Sequence, residues 1–183
     1  MRRSTATILA IGAVGAALAV GGSYGPGPKR SGTALWYAAL RKPGFVPPGP
    51  VFGVAWSVLG IALMYSGYRL MTAPPAPQRP RALVGWAVNV ASIGLWPWLF
   101  FGRKQLRASV ALAAGMCVAA VAYVRDAAAV DRRAAVASVP FVGWLFFALA
   151  MDEEVARRNT GTLRGIGDAL RRPVIAAAAR WAA

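Results

Sequence analysis

The sequence predicts an all-α membrane protein: a bundle of five transmembrane helices with a long loop between the first and the second. Three observations predict it. The 183 residues are 57% hydrophobic and only 15% charged, whereas a soluble domain carries about a quarter charged residues. The charges fall in short clusters and are not spread along the chain. Between the clusters lie apolar runs close to the roughly 20 residues that a helix needs to cross about 30 Å of hydrocarbon.

The first run, residues 5–20, follows Arg2 and Arg3. Charge followed by an apolar stretch is also the order of a secretory signal. We read it as a spanning helix, because the segment after it fits a loop that returns to the membrane. Gly12, Gly15 and Ala16 allow a neighbouring helix to approach closely. Residues 21–50 contain GPGPKR and ALWYAALRKPGFVPPGP, and Pro43, Pro47, Pro48 and Pro50 forbid a continuous helix there. A connection of this length often serves as a binding loop or lid.

The second span covers residues 50–70 and ends in the stiff turn APPAPQRPR. The third covers 82–101 and ends at GRKQLR, the fourth covers 108–124 and ends at RDAAAVDRR, and the fifth covers 134–151 and ends at DEEVARRN. One domain therefore occupies residues 1–159. The basic tail, 160–183, is modestly amphipathic and suits either a membrane surface or a disordered segment, with Pro173 interrupting any single helix.

The net charge is +15 and the isoelectric point is about 11.6. In a soluble protein this balance would point to nucleic acid. Here the Arg and Lys sit at helix ends and not along one face, as the positive-inside rule and anionic lipid require, so membrane lipid and not nucleic acid is the expected partner. Eight of the 21 basic residues fall on the side of the N-terminus and thirteen on the other. That excess places the long loop and the C-terminus in the cytoplasm, in a bacterial-type cell membrane.

Cys117 is the one cysteine and histidine is absent. Intrachain disulfides, thiolate metal clusters and Ser–His or Cys–His nucleophile pairs are thereby excluded, and a haem would lack its commonest axial ligand. No ionisable residue falls near the middle of a predicted span: Arg69, Arg125 and Asp152 lie at ends. An ion-coupled pump or channel is accordingly not expected.

Aromatic residues recur at helical spacing. Phe52 and Trp56 share a face of the second span. Trp86, Asn89, Ile93, Trp96 and Phe100 form one stripe on the third, and Phe141, Trp144 and Ala148 another on the fifth. Facing inwards, such stripes suit a pocket for a flat apolar ligand held by ring contacts, with Asn89 available for a hydrogen bond. Two plainer readings stay open: tryptophans near helix ends, such as Trp36, Trp86 and Trp98, also act as interfacial anchors, and a helix amide also bonds a neighbouring helix.

Three motifs, in order, resemble the tryptophan-rich sensory protein/translocator (TspO/MBR) family. They are Trp36-Tyr37 with Lys42-Pro43, Pro47-Pro48, Phe52 and Trp56; Leu95-Trp96 with Phe100-Phe101-Gly102; and Pro140-Phe141 with Trp144, Ala148, Asp152 and Asn159. The resemblance implies a membrane sensor or carrier for a porphyrin (protoporphyrin IX-like) or another flat apolar molecule, with no cofactor required. It implies a ligand site of Trp36, Phe45, Phe52, Trp56, Asn89, Trp96, Phe100, Phe141, Trp144 and Ala148, under a lid made by the long loop. It also implies a homodimer. Light-dependent porphyrin degradation and small-metabolite transport are the alternatives; no conventional catalytic constellation accompanies the first of them.

The sequence departs from the family pattern at several positions. Ile93 stands where the family has an asparagine, Gly60 and Phe141 where it has tyrosines, and Phe45 where it has a tryptophan. Each change removes a polar group, so the scaffold is expected to match the family better than the ligand chemistry does. The 152–159 stretch lacks the tyrosine of the proposed cholesterol-contact pattern, which disfavours a sterol.

Overall fold

The computed structural model describes residues 2–181, with side chains described for residues 2–160 other than Pro28. Among the described residues there are six α-helices and no strand: α1 (Arg3–Tyr24), α2 (Ser31–Ala39), α3 (Gly49–Thr72), α4 (Arg79–Pro97), α5 (Leu106–Ala128) and α6 (Arg132–Trp181). Five segments are long and apolar enough to cross a membrane: Arg3–Tyr24, Gly49–Thr72, Arg79–Gly102, Leu106–Ala128 and Arg132–Thr160. They contain the five expected spans. The expected break at Pro173 is not found, because α6 runs on through it to Trp181; the side chains of residues 161–181 lie outside those described.

Two further expectations need correction. The long loop is not irregular throughout, because a 3-10 turn at Pro28–Arg30 and helix α2 occupy its first half. Ser31–Ala39 is free of proline between Pro28 and Pro43, so nothing blocks a short helix there. The fifth span does not stop at residue 151 either. DEEVARRN contains neither Gly nor Pro, and Glu154 pairs with Arg157 at 2.7 Å and Arg158 at 2.6 Å, the i,i+3 and i,i+4 spacings that support a helix. Asp152 consequently lies inside a spanning helix and not at its end.

Helix boundaries follow local chemistry. Pro50 sits in the first turn of α3 and Pro80 in that of α4, where a missing N–H costs nothing. At the end of α3, Arg79 donates from Nε to the Leu70 carbonyl (2.9 Å) and from Nη2 to that of Met71 (2.6 Å), capping carbonyls that the helix leaves open. Asp131 caps α6, accepting from the amides of Arg133 (2.9 Å) and Ala134 (3.1 Å). Its other oxygen holds Arg69 of α3 at 2.6 Å.

The spanning helices form a closed ring in which α1 packs between α3 and α4, α5 packs between α4 and α6, and α6 returns to α3. Val and Ile side chains such as Val54, Ile61, Val84, Val118 and Val136 face outwards. Small residues, including Ala6, Ala10, Ala113, Ala120 and Ala134, are buried. This arrangement suits hydrocarbon outside and close helix approach inside.

Pro97 shapes the end of α4. Having no N–H, it cannot bond the Ile93 carbonyl, and the chain continues as a π-helical turn, Trp98–Gly102. α1 approaches at this point: a Cβ on Gly21 would stand 2.8 Å from the Ile93 carbonyl oxygen. Lys104, with φ of 54°, then reverses the chain into α5.

Candidate functional site

A cavity of about 800 Å³ opens inside the ring at the α2 end. All five spanning helices contribute. Leu18, Gly21 and Gly22 come from α1, Phe52 and Trp56 from α3, Ile93 and Trp96 from α4, and Phe100 from its π turn. α5 adds Ala113 and Met116, and α6 adds Trp144, Ala148, Met151 and Asp152. Tyr37, Lys42, Pro43, Val46 and Pro47 line it from the connection between α1 and α3.

The aromatic side chains form two groups. On the α3–α6 side, Trp144 meets Trp56 edge-on (centroids 6.4 Å apart, planes at 82°) and Phe52 in the same manner (5.8 Å, 78°). On the α4 side, Trp96 stacks on Phe100 at 4.7 Å and 18°. These are favoured ring geometries, so the walls hold their shape by their own contacts. The indole N–H of Trp144 is buried without a hydrogen-bond partner among the described residues. A more open apolar groove lies between α3 and α6 and shares Pro47 and Trp144 with the cavity.

Six of the ten residues expected at the site line the cavity: Phe52, Trp56, Trp96, Phe100, Trp144 and Ala148. The other four are placed elsewhere. Trp36 packs edge-on against Phe100 at 5.6 Å, behind the wall. Phe45 is 52% exposed and touches Phe147. Phe141 is fully buried behind Trp56, with ring centroids 6.4 Å apart. Asn89 is fully buried and donates to the carbonyl of Gly85, one turn back on its own helix, at 2.8 Å. Of the tryptophans open to an anchor reading, Trp86 is a core residue that donates to the Leu63 carbonyl at 2.9 Å. Trp98 is exposed, with the Arg103 guanidinium over its ring at 5.7 Å, a placement that suits an interfacial anchor.

The connection is tied down over the cavity. Asn159 of α6 accepts from the Arg41 amide through Oδ1 (2.9 Å) and donates from Nδ2 to the Arg41 carbonyl (3.0 Å). Arg158 donates to the carbonyl of Lys42 at 3.3 Å. One amide side chain thus satisfies both backbone groups of Arg41, as a strand partner would. Burial pushes the Tyr37 phenol above its ordinary pKa, so Tyr37 stays neutral beneath the Lys42 ammonium, 4.4 Å from its ring centroid.

Among the lining residues absent from the expected ten, such as Tyr37, Lys42 and Met116, Asp152 stands apart. It is 1% exposed, accepts from Trp96 Nε1 at Oδ2 (3.1 Å) and has Ser109 Oγ 3.2 Å from Oδ1. The expectation that Asp152 lies at a span end is therefore corrected, since the fifth span continues to Thr160. The signal was present in the spacing: Trp144, Ala148 and Asp152 are successive i,i+4 positions on one helix face.

Comparisons with known proteins agree with this architecture. Residues 10–157 match the model of the TspO/MBR family. The chain is 34% identical over 152 residues to Protein CrtK of Rhodobacter capsulatus, covering 78% of this chain and 86% of that one. It is 30% identical over 124 residues to the tryptophan-rich sensory protein of Cereibacter sphaeroides, covering 68% and 77%. To the human translocator protein it is 31% identical over 133 residues, covering 69% and 76%. With five spanning helices, three motifs in order and a match across most of the bundle, the chain is an integral membrane protein that belongs to the TspO/MBR family.

Proposed function

We propose that the protein is a membrane sensor or carrier that holds porphyrins or similar flat, largely apolar molecules between its helices. The observation that carries this reading is the aromatic cavity of about 800 Å³, within the range of about 300–1,000 Å³ typical of small-molecule sites. Two faces of ring surface, Trp56 with Trp144 and Trp96 with Phe100, suit a flat ligand. The unpartnered indole N–H of Trp144 is a ready donor to it. Lys42 at the lid suits the carboxylates that protoporphyrin IX carries at its edge.

The test is titration of detergent-purified protein with protoporphyrin IX, followed by its visible absorbance. Saturable binding is expected, weakened about tenfold when Trp56→Phe and Trp144→Phe are combined, which corresponds to about 1.4 kcal/mol of lost ring contact. Unchanged affinity in the double variant would remove these tryptophans from the site. Illumination of the same samples separates binding from chemistry: a defined porphyrin product made by the wild type alone would favour an enzyme.

The proposal includes orientation and assembly. The α2 connection and the C-terminus face the cytoplasm, because thirteen of the 21 basic residues lie on that side. Two copies associate through small-residue helix faces; Gly12 and Gly15 on α1 and Gly115 on α5 have open space around them. Cysteine accessibility at either end and cross-linking in native membranes check the two statements.

A further inference from the structure

Asp152 is unlike the rest of the cavity lining. It stands eight residues before the end of the fifth span at Thr160, about 12 Å along the helix at 1.5 Å per residue. A charge at such depth is costly and is normally paired. Among the described residues no Lys or Arg lies within 4.0 Å of it.

Its hydrogen bonds do not make up the difference. A carboxylate offers about four lone-pair positions. Trp96 Nε1 fills one at Oδ2. Ser109 Oγ has a single hydrogen, and it lies 2.8 Å from the Leu106 carbonyl but 3.2 Å from Asp152 Oδ1. The closer acceptor is the carbonyl, which leaves Oδ1 short of a donor. Lys42, the other charged residue lining the cavity, is engaged over the Tyr37 ring. The carboxylate therefore faces a mostly apolar cavity with acceptor capacity to spare.

We propose that Asp152 is the specificity residue of the cavity and selects flat aromatic ligands that carry a cationic nitrogen. The ring system lies against Trp96 and Trp144, and the positive charge pairs with the Asp152 carboxylate. A ligand carboxylate is turned the other way, towards Lys42. The proposal rests on the reading of the cavity as a ligand site and adds the charge of the ligand to it.

The test uses two rings of similar shape, N-methylacridinium, which is permanently charged, and 9-methylanthracene, which is neutral. Both are titrated against full-length protein in dodecyl maltoside, with empty micelles as the blank. The variant is Asp152→Asn, which keeps the size of the side chain and an acceptor for Trp96. The expected result is at least tenfold weaker binding of N-methylacridinium, with 9-methylanthracene changed less than twofold. Retained binding of the neutral ring shows that the variant cavity is intact. An equal loss for both rings would mean that Asp152 only shapes the wall, and no loss for either would mean that it takes no part; both results overturn the proposal. Protoporphyrin IX is titrated in parallel. Binding of porphyrin without charge selectivity removes this inference alone, whereas failure of the wild type to bind any of the three removes the cavity reading with it.

Discussion

Trp86 and Trp144 are both partly or fully enclosed indoles on spanning helices, and they do opposite things. Trp86, at the end of the bundle where α3 leaves the membrane, lies flat against Gly67: a Cβ there would be 2.5 Å from its ring. Its N–H is satisfied by the Leu63 carbonyl. Around it Tyr123 is hydrogen-bonded to Ser66 and Ser138, and Arg69 is bridged to Asp131. Trp144, at the other end, meets bulky Phe52 and Trp56, and its N–H has no described partner. Where a large side chain meets a glycine the helices close. Where it meets another large side chain they are propped apart, and the remaining space is the cavity.

Three changes break or sharpen this contrast, in addition to the two titrations above. Gly67→Ala should have the largest effect, because the new methyl group meets a ring that is itself buried and bonded. A loss of about 2 kcal/mol is expected, in the range for overpacking, read as a fall of several degrees in the melting temperature in detergent.

Acid should act next, on the ion pair at the same end. Burial, the largest single influence on Asp131, works to raise its pKa. The hydrogen bond from Arg69 and the amides of Ala134 and Arg133 outweigh it and hold the carboxyl below its ordinary value. A depressed pKa means that the stabilisation is full above the ordinary carboxylate pKa of about 3.9 and is lost as pH falls through the lower folded value. A partly exposed pair contributes about 1 kcal/mol at most. Melting curves below pH 4 should show this loss in the wild type and not in Asp131→Asn.

Gly60→Ala should have the smallest effect. Its Cβ would meet Leu18 Cδ1 at 2.8 Å, but that methyl is the free end of a side chain lining the cavity and can turn into it. The expected cost is below about 1 kcal/mol, with a modest weakening of porphyrin affinity as the cavity narrows. A fall in melting temperature as large as that of Gly67→Ala would remove the distinction between the two ends.

Much of the fold was legible in the sequence because hydrocarbon imposes a length and a composition on each span. The third-span stripe was legible for a similar reason: Trp86, Asn89, Ile93, Trp96 and Phe100 repeat at helical spacing, and all but Trp96 are buried. Which part of the stripe faces open space was not. Trp86 packs and Trp96 lines the cavity because of what α3 and α6 present opposite them, and no local pattern contains that. The tie between the connection and α6 was hidden as well, since Arg41 and Asn159 are 118 residues apart in the chain.

Asp152 marks the boundary most clearly. In the sequence it opens a run of charges, DEEVARR, and a run of charges normally marks the end of a span. The sequence by itself determined five spanning helices, their order and their aromatic faces, because these follow from hydrophobic length and the 3.6-residue period. Tertiary structure alone decided that one carboxylate of that run turns inwards to Trp96 and Ser109 while Glu154 turns outwards to Arg157 and Arg158. A helix sends neighbouring residues in different directions; the spacing puts Asp152 on the face of Trp144 and Ala148, and the packing of α5 against α6, with Trp96 of α4 reaching across, makes that face the interior.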